Sequence, residues 1–286
     1  MKKRNDATLV TDVPSFVRIF PYIMKRRCDS LIYHQVSLDM TNMVSFLRKF
    51  NREQKELPNI KIFDAIITAL AKLFILRPKL NRFIANCDTW QRDEISFLFI
   101  VKEVLNEQAP EHTVIIKIDP DMDIIEISKK TTEMIEEAKN LGNDQETDKL
   151  IAKYLRLPKS LIRMAASFFG WLDKHGRLPK SIREIDGLHS SAILANLGSI
   201  NLLNAPFHHL YEWGTTSVFL TIGRLHKGIN LAYTNEPIDI IEVGFTIDER
   251  IADGYYIIQS LNLFQRFLKE PELLFRPLKE EVSNLK

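Results

Sequence analysis

Two hydrophobic periodicities alternate along the chain. Leu31 to Leu38 switches between apolar and polar positions and ends at Asp39, after which Met40, Met43, Val44, Leu47 and Phe50 recur at helical spacing. A strand leading into a helix is predicted. Ile62, Ile66, Ala69, Leu70, Leu73 and Phe74 form a second helical series, which must stop ahead of Pro78 because the residue before a proline avoids helical geometry. Phe83 to Trp90, Ile95 to Val101 and Thr113 to Ile118 are predicted strands, the second an almost unbroken apolar run suited to burial on both faces. Ile124 to Leu141 is predicted as a charged amphipathic helix. Strands return at Ser190 to Ala195, Ser217 to Leu225 and Ile238 to Thr246, ahead of a last helix over Tyr255 to Leu268 and a polar tail. Helices alternating with strands, without a break in composition, predict one α/β domain with a mixed sheet flanked by helices.

Residues 147–186 interrupt this rhythm with a helical stretch. Leu157-Pro158-Lys159-Ser160 and Leu178-Pro179-Lys180-Ser181 are predicted helix starts, since proline near the first turn forfeits no helical hydrogen bond. Lys149, Lys153, Arg156, Lys159, Arg163, Lys174, Arg177, Lys180 and Arg183 face one acid, Asp173, with Phe168, Phe169 and Trp171 among them. A basic amphipathic helix of this kind can pack as a lid, lie on an anionic membrane, hold a protein partner or meet an acidic ligand.

Composition narrows the function classes. Thirty-nine basic against 37 acidic residues leave a formal charge of +2, too small to draw nucleic acid to the whole molecule, so no nucleic-acid partner is expected. Cys28 and Cys87 stand alone, without zinc-type spacing, so no metal and no disulfide framework is expected. The N-terminus has no signal-peptide core and no uncharged apolar run is long enough to span a bilayer, which predicts a soluble, cytoplasmic protein. Gly-x-Gly-x-x-Gly, P-loop and Gly-x-Ser-x-Gly motifs are absent.

Asp248-Glu249-Arg250-Ile251-Ala252-Asp253-Gly254 resembles the His-x-x-x-Asp-Gly signature of chloramphenicol acetyltransferase and of the 2-oxo acid dehydrogenase acyltransferase catalytic domains. Other segments resemble the same family in the same order: Leu38-Asp39-Met40-Thr41, Arg77-Pro78-Lys79-Leu80-Asn81, Asn196-Leu197-Gly198 and Val218 to Gly223. The resemblance runs over 18–272, with 147–186 as an insertion, a tail at 1–17 and another at 273–286. It implies a chloramphenicol acetyltransferase-like fold, a homotrimer with sites between subunits, and a channel for coenzyme A or acyl-CoA. It also implies a salt bridge from Asp253 to Arg27, a turn at Gly254 and a structural role for Asn196.

Glu249 occupies the position of the family's catalytic histidine. Reference pKa values of about 6.5 for imidazole and about 4.3 for a carboxyl make proton removal from a thiol harder by roughly 3 kcal/mol, about a hundredfold in rate. Ala195 stands where family members carry a Ser or Thr that donates to the oxyanion, and losing one such donor costs about 10²–10³ in rate. Thr221 resembles a threonine near the acetyl group and can offer a replacement hydroxyl. His208-His209-Leu210-Tyr211-Glu212-Trp213-Gly214 either supplies a substitute base, His208 or His209, or fills a subunit contact through Tyr211 and Trp213. Two readings stay open: a catalytically impaired binding, regulatory or assembly protein, and a coenzyme A-dependent acyltransferase using Glu249, His208 or His209 as base. The remaining histidines, His189 among them, are expected to be ordinary surface or strand residues.

Overall fold

The computed structural model describes residues 4–102, 111–140, 154–229 and 236–280. Its strands are β1 (Ala7–Leu9), β2 (Leu31–Asp39), β3 (Arg82–Ala85), β4 (Asp88–Arg92), β5 (Ile95–Lys102), β6 (Glu111–Ile118), β7 (Ala192–Asn196), β8 (Val218–Ile222), β9 (His226–Ile229) and β10 (Pro237–Asp248). Five helices are long: α1 (Thr41–Glu53), α2 (Ile62–Leu76), α3 (Ile124–Asn140), α4 (Lys159–Lys174) and α5 (Gly254–Lys269). Seven strands form one mixed sheet in the order β2-β10-β8-β7-β5-β6, with β9 alongside the start of β10. β7 is parallel to both β5 and β8, and the other pairings are antiparallel. All five residues of β8 are buried, as a central strand covered on both faces requires.

One face of this sheet carries the main core. Phe97, Phe99, Leu194, Leu220, Val243 and Phe245 meet residues of α2, α3 and α5 there. Helix α2 is apolar nearly all round because it is enclosed, Asp64 through Phe74 being buried. The polar groups of α2 have partners: Asp64 accepts from Lys61 N at 2.8 Å and Ser128 Oγ at 3.0 Å, and Lys72 donates to Pro277 O at 3.0 Å. The opposite face holds Leu98, Ile193, Phe219 and Leu210.

Several expectations are corrected. Phe83 to Trp90 is a hairpin rather than one strand, because Asn86 and Cys87 take left-handed φ values of 51° and 60° and reverse the chain in two residues. Ser217 to Leu225 divides into β8 and the approach to β9; a Cβ at Gly223 would run into Leu203 O, so another segment crosses there. Both Leu-Pro-Lys-Ser strings do start helices, on Lys159 and Lys180, with Pro158 and Pro179 at the N-cap (ψ of 140° and 139°) rather than in the first turn. Parts of both expected tails belong to the fold: β1 pairs with β4, while Leu274 and Leu278 are fully buried. Residues 147–153 of the expected insertion, with Lys149 and Lys153, lie outside the described residues.

Candidate functional site

Strand register places Ala195, Thr221 and Gly244 side by side on β7, β8 and β10, with Gln35 of β2 next in the row. The neighbouring row runs Ile193, Phe219, Thr246, Tyr33 on the same face. The stretch from Asn201 to Gly214 crosses this face. It can lie close because Gly244 has no side chain: a Cβ there would sit 2.6 Å from Thr221 Oγ1 and 2.8 Å from Ala205 O. Thr221 is 2% exposed and donates to Gly244 O at 3.3 Å. Ala195 packs against the apolar cluster of this face and offers no donor from its side chain.

His208 stacks on Phe219, ring centroids 4.3 Å apart, and against His209 at 4.6 Å. Its Nδ1 lies 2.7 Å from His209 O, and because a carbonyl only accepts, Nδ1 carries the proton. In the neutral ring Nε2 is left with a free lone pair. His208 is half-buried, whereas His209 is exposed.

Glu249 lies elsewhere. It opens a single 3₁₀ turn at the end of β10, five residues beyond Gly244, so roughly 16 Å separates it from the Thr221 row at about 3.3 Å per residue. Its half-buried carboxylate has no hydrogen bond or ion pair to a described residue. Asn196 ends β7 at the opposite end of the sheet, beside a cavity of about 250 Å³ shared with Gly198, Ser199, Arg224 and the start of α2. No single chain brings Glu249, Thr221 and Asn196 together.

The polar centre next to Glu249 is built on Asp248, which is fully buried. Its carboxylate accepts from Ser30 Oγ at 2.9 Å and from Arg250 at 2.8 and 2.6 Å. Arg27 Nε is 3.9 Å from the same carboxylate, and its terminal nitrogens donate to Tyr211 O and, at 3.1 Å, to Gly214 O. Burial lowers the pKa of Arg27 against the pull of Asp248. The implied Arg27–Asp253 salt bridge is therefore not formed. Asp253 is exposed and caps α5, accepting from Tyr256 N at 2.9 Å. Nor does Gly254 supply a turn: its φ is not left-handed and a Cβ there would meet nothing within 4 Å. A left-handed glycine is needed instead at Gly214, where φ is 80° and a Cβ would run into Leu188 O.

His189 corrects the expectation of an ordinary surface or strand residue. It is 6% exposed, and its ring nitrogens lie 3.4 Å from Asp173 and 3.2 Å from Asp186. Burial alone would lower its pKa, but the two carboxylates beside the ring outweigh that and raise it. Asp173, also held by Arg4 at 2.9 Å, falls to about 2 despite its burial. Trp213 donates to Asp186, so the His208 to Gly214 segment is tied to this cluster. Asp186 three residues before His189 was the only local signal for it. Among the described residues, no group of three His, Cys, Asp or Glu side chains is placed to hold a metal ion.

Solved structures share this architecture. A probable dihydrolipoamide acetyltransferase from Listeria monocytogenes 4b F2365 aligns over 98% of this chain and 99% of its own, with 14% identity and a TM-score of 0.57. The cubic core of the pyruvate dehydrogenase multienzyme complex aligns over 93% of both chains, with 11% identity and a TM-score of 0.61. A chloramphenicol acetyltransferase aligns over 92% of this chain and 98% of its own, with 11% identity and a TM-score of 0.54. No protein-family model and no curated protein matches the sequence. At such identities the likeness speaks for the path of the backbone and not for the chemistry carried on it. In that path, a mixed sheet flanked by helices with the signature loop at the end of β10, the chain has the chloramphenicol acetyltransferase-like fold of the dehydrogenase-complex acyltransferase cores.

Proposed function

We propose that the chain is an acyltransferase-fold protein that forms a homotrimer, binds coenzyme A or an acyl-CoA between subunits, and serves as a binding, regulatory or assembly protein without histidine-based acyl transfer at the signature position. The observation that carries this reading is Glu249, a carboxylate at the base position with no partner among the described residues. Ala195 removes a donor from the row it shares with Thr221, and the Thr221 hydroxyl is covered and turned to Gly244 O. An oxyanion formed there would lack preorganised stabilisation from these side chains. For the ligand, the cavity beside Asn196 is lined by apolar Ile62, Phe63 and Ile222 together with the exposed Arg224. That suits a thin thiol-bearing arm ending in phosphate.

Titration calorimetry with coenzyme A and thiol release from a panel of acyl-CoAs test the reading. Binding without turnover is expected, with activity emerging in Glu249→His/Ala195→Ser. Turnover by the unaltered protein that disappears in Glu249→Gln overturns it, and absence of coenzyme A binding at millimolar concentration removes the ligand.

A second reading has its own support. The His208 pose, with Nδ1 engaged and Nε2 free, suits a base that takes the proton from an acceptor thiol or hydroxyl. Turnover that survives Glu249→Gln and is lost in His208→Gln decides for a coenzyme A-dependent acyltransferase of that kind.

A further inference from the structure

Helix α4 packs on one side and is bare on another. Ile162, Ala165, Phe169 and Leu172 are partly covered, whereas Leu161, Met164, Phe168 and Trp171 are 42 to 64% exposed. Their spacing of three, four and three residues sets these four in a single line along the helix. A second apolar ridge is formed by the short turns Ser15–Arg18 and Phe20–Ile23, where Phe16, Ile19, Tyr22 and Ile23 are 48 to 76% exposed. The two elements border one cavity of about 360 Å³, to which the turns contribute Pro21 and α4 contributes Gly170 and Lys174, with Lys25 also in its lining.

Charge identifies the occupant. The exposed charges of α4 are Lys159, Arg163 and Lys174, and its one acid, Asp173, is buried against Arg4 and His189. Glu212, the other acid lining the cavity, accepts from Cys28 N at 2.9 Å. Lys25 and Lys174 have no hydrogen bond or ion pair to a described residue. A two-fold contact between copies through this helix would set cations against cations whether the helices ran parallel or antiparallel, since both ends are basic, and a three-fold contact of the proposed homotrimer is separated from a bilayer by the assembled mass of the ridge variant. Exposed apolar ridges of this extent need cover, and an anionic bilayer supplies it while also meeting the lysines. No described helix is long and apolar enough to cross a membrane, so the contact lies in the interface plane.

We propose that α4 and the Phe16–Ile23 turns together form a docking surface for an anionic phospholipid bilayer, with Phe168, Trp171, Tyr22 and Ile23 entering the headgroup region and Lys25 and Lys174 meeting lipid phosphates. The proposal is independent of acyl transfer. The full chain is sedimented with vesicles of phosphatidylcholine alone and of equal parts phosphatidylcholine and phosphatidylglycerol. Binding to the anionic vesicles only, weakening with added salt, is expected. Phe168→Ser/Trp171→Ser lowers the partition coefficient about tenfold or more, and Lys25→Glu/Lys174→Glu about tenfold. These side chains are at the surface, so both variants keep the parent circular dichroism and melting temperature. A blue shift in Trp emission on binding, lost in Trp171→Phe, places that side chain at the interface. Absence of binding, or binding indifferent to both pairs of substitutions, overturns the proposal. So does a fall in assembled mass of Phe168→Ser/Trp171→Ser without vesicles, which assigns the ridge to contact between copies. Capture of an acidic helical peptide without vesicle binding assigns it to a protein partner instead.

Discussion

Asp248 has no solvent exposure and ties the end of β10, with Arg250, to the turn carrying Arg27 and Ser30, while Glu249 beside it has no partner among the described residues. Removing one member of a buried ion pair strands the other in a poorly solvating interior. Asp248→Asn should therefore lower unfolding free energy by about 3–5 kcal/mol in urea titration, whereas Glu249→Gln should change it by less than about 0.5 kcal/mol. Equal losses would mean that Glu249 has a structural partner in the assembled protein. The signature string directs attention to Glu249 through order along the chain alone. The partner of Arg27 was not legible in it. Asp248 and Asp253 both lie in the same short string, and the choice between them followed from Asp253 becoming the cap of α5, a matter of local geometry that spacing does not encode.

At the scale of elements, α4 is fastened to the body through charge. Arg4 reaches Asp173 across 169 residues, and His189 lies between Asp173 and Asp186. A raised His189 pKa means that its contribution is complete below the unfolded value of about 6.5 and is lost as pH rises through the higher folded value. For Asp173 the sign is opposite: its contribution is present above about 3.9 and is lost as pH falls towards its folded value. The melting temperature gap between the parent protein and His189→Gln should accordingly be widest at about pH 5 and narrow as pH rises past about 6.5. A gap independent of pH would mean that His189 is held neutral. Periodicity made α1, α2 and α5 legible, because an amphipathic helix repeats its instruction every turn. The β3–β4 hairpin was missed because its only signal is two residues with positive φ, and cysteine seldom announces that conformation. The cluster around His189 was hidden for a different reason: its members meet only after the sheet has brought distant segments together.

For the whole molecule, the mixed sheet was legible from the alternation of strand and helix patterns. The separation of Glu249 from the Thr221 row was not, since it follows from β10 running antiparallel to β8. That separation makes assembly the test of the proposed channel. Light scattering should report three times the 33.2 kDa chain mass; a monomer would leave Glu249 and the Thr221 row roughly 16 Å apart and remove the inter-subunit site. Strand β10 is bonded to β2 over Ile240 to Asp248, to β9 at its start and to β8 over Val243 to Ile247. With both edges occupied over Val243 to Ile247, its amides there have no route to solvent through fraying, so deuterium should reach them last and only when the entire domain opens, and their exchange rate would time global unfolding.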